Sequence, residues 1–434
     1  MTISINKILE EELKSVKVHP EELDYLKNLS QLVVEKLKTK IDKKGISAEV
    51  FVGGSLAKNT LIKKSSYDVD LFVRFAKKYS EEEIKIFMRK IFFWFWVPGQ
   101  RVKVRRVHGS RDYYKITLRS RRGFSFEVVP VVKINDPKEA RNITDLSYFH
   151  VTYISKQAEK NKKLINEILL AKSFCHAQKC YGAESYIRGF SGYAIELLVS
   201  HYKTFKKFLI EMIKVENQII LDPGKLYKNK KDIESSLSES KLKSPIVLID
   251  PTFKERNAAN ALSLETFRKF QKKSKEFLRE PSDKFFEQVR VDIPYFRRTA
   301  QDIKGIFAIF RLRTKKQAGD VAGSKMLKFS KLLTREIGKY FDVIEQEYDY
   351  WGAKRSDVYY VLKRKVEIVH VGPSIHHKNA VKAFKEKHRI WYEEEGKVKS
   401  AMPTDLSVKE FLKQFNKKHK KTIKEMDIKK VKII

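Results

Sequence analysis

Along residues 21–43, Leu23, Leu26, Leu29, Leu32, Val33 and Leu37 recur at helical spacing, which predicts a long amphipathic helix near the start of the chain. A short apolar strand at 49–52 runs into Gly53-Gly54-Ser55, a brief helical turn follows, and the next apolar strand is at 69–75. Residues 81–96 read as helix, whereas 102–107, 113–118 and 124–132 are β-rich, with alternating or continuous apolar character. From 145 to about 279 helical periodicity dominates, most clearly over 161–179 and 193–216, and strands nearly vanish. Beyond 283 the pattern mixes again: strands at 305–312 and 358–362, a helix at 325–341, and a helical tail ending in a basic run. The expected architecture is α+β multidomain: a mixed-sheet head over 1–153, a mostly α-helical central domain over 154–281, and an α+β C-terminal body and tail over 282–434.

Composition supports folding. A chain of 434 residues exceeds one ordinary core, and 42% hydrophobic with 12% aromatic residues supplies several. The most apolar run, 91–97 (IFFWFWV), is a third of the length that crosses a bilayer and is assigned to core. The N-terminal segment MTISINKILEEELKSV is acidic and amphipathic and lacks a secretory layout, so the expected location is cytoplasmic, with no membrane partner. Cys175 and Cys180 lie five apart in one expected helix, on different faces; that spacing disfavours a disulfide and matches no zinc pattern.

Charge narrows the partner. Against 54 Asp and Glu stand 91 Lys and Arg, a net charge of +37 that attracts polyanions, with nucleic acid first and an anionic membrane surface as the competitor. Ion-pair networks of a heat-stable surface would need the two signs in rough balance.

The candidate chemistry is acidic. Two apart in one strand, Asp68 and Asp70 project from the same face, and their mutual repulsion invites a divalent cation. Oxygen-only ligands suit Mg²⁺. Glu127, an acid in the apolar segment FSFEVVPVV, needs a partner; packed beside the Asp68 strand it completes a three-carboxylate set able to hold two Mg²⁺ ions for in-line displacement at phosphorus. The Gly53-Gly54-Ser55 turn lets backbone amides approach phosphate, and Lys58 adds positive charge; no Walker loop is present.

The strand, the Gly-Gly-Ser turn and the Asp-x-Asp pair in this order resemble the signature of the nucleotidyltransferase superfamily that includes DNA polymerase β and poly(A) polymerases. The chain resembles one branch in particular, the archaeal, class I CCA-adding tRNA nucleotidyltransferases. That likeness continues through Tyr181-Gly182-Ala183-Glu184, Arg188-Gly189-Phe190-Ser191-Gly192-Tyr193 with Glu196-Leu197-Leu198, and Asp250-Pro251 with Arg256-Asn257-Ala258-Ala259-Asn260. It implies a nucleotidyltransferase head and template-independent addition of CCA to the 3′ end of tRNA from CTP and ATP. By the same resemblance Asp68, Asp70 and Glu127 are catalytic and bind metal. Gly54, Ser55 and Lys58 meet the triphosphate, His150, Lys172 and Tyr181 contact the incoming nucleotide, and Arg256 helps read its base.

Lys58 stands where the family usually has Arg, Asp68 where archaeal members carry Glu, and Glu127 where they carry Asp; each acid swap moves an oxygen by one methylene and leaves a competent ligand. The C-terminal region is shorter than the family's. Basic clusters there, among them Arg297, Arg298, Arg311 and Arg313, are candidate RNA contacts, and a homodimer is compatible with the sequence. The alternatives are a poly(A)-polymerase-like enzyme or other RNA 3′-terminal nucleotidyltransferase with the same head, and a non-catalytic RNA-binding protein.

Overall fold

A computed structural model describes residues 4–118, 123–350 and 352–434; residues 1–3, which open the acidic N-terminal segment, lie outside it. The first five strands are β1 (Ala48–Val52), β2 (Tyr67–Phe75), β3 (Val102–Val107), β4 (Tyr113–Leu118) and β5 (Phe124–Val132). They form one mixed sheet in the order β1-β2-β5-β4-β3, in which β2 and β5 are parallel and the other pairs antiparallel. Alternation decides what each face carries. Val69, Leu71, Val73 and Phe75 of β2, with Phe126 and Val128 of β5, are buried with Leu26, Val33 and Leu37 of the helix Pro20–Asp42 and Ile84, Met88 and Ile91 of the helix Glu81–Phe92. The intervening residues, Asp68 and Asp70 among them, face the opposite side.

The second of those helices opens on a capping box, Ser80 with Glu83, and stops at Phe92, short of the expected 96. The run 91–97 is therefore only half core. Ile91, Phe92, Phe95 and Val97 are buried, but Phe93, Trp94 and Trp96 are exposed, the chain passing through Trp94 at φ +50°.

Helices Ser147–Lys160, Leu164–Ala177, Gly192–Tyr202, Phe205–Ile213 and Leu264–Arg279 surround a second core rich in phenylalanine, including Phe174, Phe190, Phe208, Phe270 and Phe277. The expected helix over 193–216 is interrupted: Lys203 sits at φ +72° and Thr204 caps the next helix. Strands are few here, as expected, and short. β6 (Ile219–Leu221), β7 (Ile246–Asp250) and β8 (Phe253–Asn257) form a small sheet in that order, β6 and β7 parallel. Both cysteines are buried and free.

Contacts group residues 1–289 into one unit and 290–434 into another. The second contains β9 (Ile306–Thr314), β10 (Phe341–Asp349), β11 (Arg355–Arg364), β12 (Glu367–Ser374), β13 (Tyr392–Glu394), β14 (Lys397–Pro403) and β15 (Ile428–Ile433). Its main sheet runs β10-β11-β9-β15, all antiparallel, and the helix Asp320–Ile337 packs against β9, β10 and β11; β12-β14-β13 form a separate small sheet. The tail is thus not wholly helical. After the helices Val408–Lys418 and Lys420–Glu425, its last basic stretch pairs with β9, where Ile428 and Val431 supply an apolar face that a helical reading overlooks. No helix of the described residues is long and apolar enough to cross a membrane.

Candidate active site

Parallel pairing of β2 and β5 sets Asp68 beside Ser125 and Asp70 beside Glu127, and antiparallel pairing of β5 and β4 sets Glu127 beside Lys115. Facing residues on adjacent strands share a side of the sheet, so three carboxylates and one ammonium lie on the same surface. Lys115 Nζ donates to Asp68 Oδ1 at 2.6 Å and to Glu127 Oε1 at 3.3 Å, and Ser125 Oγ also donates to Asp68. Burial would raise Asp68, but its bonds to Lys115 and Ser125 outweigh that and hold it below the usual carboxylate range. Burial raises Glu127. Asp70 is pushed up to about 7, by burial and then by the Glu127 charge, against the pull of Lys58.

The two glycines are dictated by what lies over them. Gly54 has φ +59°, and a Cβ there would lie 1.8 Å from Asp70 Oδ2; a Cβ on Gly53 would lie 2.2 Å from the Phe72 ring. The turn and the acid strand thus fit together only without side chains. Ser55 is the second residue of the four-residue helix Gly54–Ala57 that follows.

These residues suit a divalent cation. The Lys115 ammonium already bridges Asp68 and Glu127 as a stand-in positive charge, and burial together with the Glu127 charge makes Asp70 hard to ionise, a penalty that a nearby cation offsets. Among the described residues no three His, Cys, Asp or Glu side chains converge as a ready-made cage, consistent with Asp68 and Glu127 leaning onto Lys115.

Two further clusters hold the other sequence candidates. Lys58, expected at the triphosphate, and Lys172, expected at the incoming nucleotide, are both buried on Glu196 of the helix Gly192–Tyr202: Lys58 Nζ is 2.5 Å from Oε2 and Lys172 Nζ 2.7 Å from Oε1. Thr60 Oγ1 donates to the same Oε1 at 2.8 Å and accepts from Lys172 at 2.9 Å. Burial would raise Glu196, yet the two ammonium groups hold it down at about 2; burial lowers Lys172 to about 8 despite Glu196. Two cations on one anion leave this buried cluster with an excess positive charge, an arrangement that favours an anionic ligand.

Asp250, the last residue of β7, organises the second cluster. Its Oδ1 accepts from Tyr193 OH at 2.9 Å and from Thr252, while Oδ2 lies 2.6 Å from Arg256 Nη1 and 3.1 Å from His150 Nε2. The His150 ring stacks on Tyr193 with centroids 4.0 Å apart, and Arg256 lies over the same tyrosine at 5.6 Å. Burial would raise Asp250, but His150 and Arg256 keep it well below the usual range; burial lowers His150, which favours a neutral imidazole at neutral pH. Tyr181 stacks on His176 at 3.9 Å and its hydroxyl lies over Gly192, where a Cβ would come within 2.7 Å.

Sequence reasoning passed over Lys115 and gave Thr60, Tyr193, Glu196 and Asp250 no role. A charge inside an apolar run was the available signal: AIELLVS for Glu196 and IVLID for Asp250.

The C-terminal arginines divide. Arg297 and Arg298 are exposed on the helix Ile293–Asp302, and Arg313 is exposed on β9 between Arg355 and Lys430. Arg311 is instead held by both oxygens of Asp357, each bond 2.7 Å.

A mixed sheet whose parallel pair carries facing carboxylates, under a Gly-Gly-Ser turn, is the head of a nucleotidyltransferase, and residues 34–143 match the model of the nucleotidyltransferase domain. Residues 166–287 match that of the tRNA nucleotidyltransferase second domain. Three curated proteins, each called CCA-adding enzyme, align with the chain. The Nanoarchaeum equitans protein is 39% identical over 219 residues, 50% of this chain and 52% of its own length. The Methanocaldococcus jannaschii protein is 28% identical over 78% of this chain and 74% of its own, and the Sulfurisphaera tokodaii protein 25% over 94% and 91%. With the first of these the match spans about half that relative's length. The chain thus carries a nucleotidyltransferase domain followed by the second domain of tRNA nucleotidyltransferases, and is similar along most of its length to archaeal CCA-adding enzymes.

Proposed function

We propose that this protein adds C, C and A to the 3′ end of tRNA, taking CTP and ATP as substrates and releasing pyrophosphate at each addition. The observation that carries this reading is the register that seats Asp70 beside Glu127 and Asp68 beside Ser125 on one face, under the Gly53-Gly54 turn. The tRNA 3′-hydroxyl gives up its proton to solvent, its oxygen attacks the α-phosphorus, a new P–O bond forms, the bond to the bridging oxygen of the β-phosphate breaks, and its electron pair leaves with pyrophosphate. Asp68, Asp70 and Glu127 would hold two Mg²⁺ ions, whose charge would make the attacking hydroxyl more acidic and offset that of the leaving pyrophosphate.

The chain's own groups bind and orient. Amides of the Gly54-Ser55 turn and the Ser55 hydroxyl take triphosphate oxygens, and Lys58 and Lys172 neutralise them from the cluster on Glu196. His150 and Arg256, fixed by Asp250, present hydrogen-bonding edges to the base, and Tyr181 supplies a stacking face. Residues 1–153 act as the catalytic head, 154–281 complete the nucleotide pocket, and 282–434 grip the tRNA through the exposed Arg297, Arg298 and Arg313, Arg311 being held by Asp357, in the cytoplasm.

The test incubates the protein with tRNA lacking its 3′ terminus, CTP, ATP and Mg²⁺ and reads product length. Growth by C, C and A followed by arrest is expected. An A-tail of indefinite length would make it a poly(A)-polymerase-like enzyme, and no growth with intact tRNA binding would leave only an RNA-binding protein.

A further inference from the structure

The run 91–97 spends only four of its residues on the core. Phe93, Trp94 and Trp96 are 67%, 80% and 55% exposed, an uncommon concentration of aromatic surface on one short loop. Trp94 is held at φ +50°, a left-handed conformation that costs a bulky residue energy and that turns its ring outward. Its ring meets that of Phe93 edge to face, centroids 6.1 Å apart.

Lysines are laid against this loop. Lys40 Nζ donates to the carbonyls of Phe93 at 2.9 Å and Trp94 at 3.3 Å, and Lys36 Nζ stands 3.5 Å over the Trp96 ring. Desolvation, with repulsion from Lys44, Lys36 and Lys43, lowers the pKa of Lys40, which places those three ammonium groups in the same neighbourhood. Arg89 and Lys90 end the helix that feeds the loop; Glu35 and Asp42 are the acids on the last turns of the lysine-bearing helix, so the local balance is strongly positive.

We propose that this aromatic and lysine knuckle is a second RNA-binding surface, on which unpaired nucleobases stack against Phe93 and Trp94 while their phosphates meet Lys36, Lys40, Lys43 and Lys44. Flat rings interleaved with ammonium groups match the alternation of base and phosphate along a single strand. Two other occupants fit less well. Burying the rings in a bilayer would draw in the ammonium 3.5 Å above Trp96, at a desolvation cost. A second copy of this chain would set one lysine cluster against its twin. The surface lies outside the carboxylate site, and its occupation does not depend on the nucleotide-addition reading.

The test measures fluorescence anisotropy of a labelled short oligouridylate with the whole protein in EDTA, without nucleotide, so that no addition is read. Phe93→Ala/Trp94→Ala is expected to weaken binding by roughly 10- to 100-fold, at the stacking strength usual for exposed aromatics. Lys36→Glu/Lys40→Glu is expected to flatten the dependence on salt. Unchanged thermal melting of the aromatic variant separates this from misfolding. Oligouridylate affinity unaltered by the aromatic substitutions overturns the proposal. So does loss of cosedimentation with phosphatidylglycerol vesicles, or of a concentration-dependent dimer in sedimentation velocity, with strand affinity retained.

Discussion

Glu196 carries two ammonium groups on one buried carboxylate, and neutralising it leaves Lys58 and Lys172 facing each other without an anion. Glu196→Gln should therefore lower the unfolding free energy by about 3–5 kcal/mol, read by urea denaturation at neutral pH; an unaltered midpoint would mean that the lysines find other partners. The pH dependence of stability has opposite signs at two acids. Glu196, depressed to about 2, contributes stability that is present above its unfolded value and lost as pH falls through about 2. Asp70, raised to about 7, makes the folded protein hold an extra proton between about 4 and about 7, so its contribution falls as pH rises across that window and is flat above it. Asp70→Asn should remove that slope in metal-free buffer and gain on the order of 1–2 kcal/mol at pH 8, the full shift being discounted for partial solvation. A variant no more stable than wild type at pH 8 would show Asp70 to be ionised at little cost. Asp68, Asp70, Glu127 and both lysines were legible as candidates because their residue types state their chemistry. The acid that pairs the lysines was not, since Glu196 is 138 residues from Lys58 and only the fold brings them together.

At the level of elements, the turn before the acid strand is built around absent side chains. Gly54→Ala would put a methyl 1.8 Å from Asp70 Oδ2 at a positive φ, so the carboxylate must move. The expected outcome is a loss of nucleotide incorporation of about 100-fold or more, with stability reduced by only about 1–3 kcal/mol; incorporation within a few-fold of wild type would detach the turn from Asp70's role. Strands β1 to β5 were readable from alternation and from apolar runs. Three of the misread elements show separate reasons. β7 is a five-residue apolar run too short to distinguish from buried helix, β15 hides its apolar residues among lysines, and the helix before Phe93 stops where aromatic residues alone gave no stop signal.

Across the whole molecule, a charge of +37 gives a field for polyanions but does not say which arginines are free to use it. Arg311 is neutralised by Asp357 whereas Arg313 lies in register with Arg355 and Lys430. Arg313→Ala should reduce the log–log salt slope of tRNA binding by about 0.7–0.9, and Arg311→Ala should chiefly lower stability; the reverse pattern would place the RNA on the Arg311 side. The division of labour between binding and chemistry is tested most directly by Asp70→Asn, with tRNA affinity and the single-turnover rate of CTP incorporation measured on the same preparation. Affinity within about twofold of wild type with incorporation reduced at least about 1000-fold is the result expected if this carboxylate serves the reacting phosphate. Wild-type turnover from Asp70→Asn would contradict it and remove the β2–β5 carboxylates from catalysis.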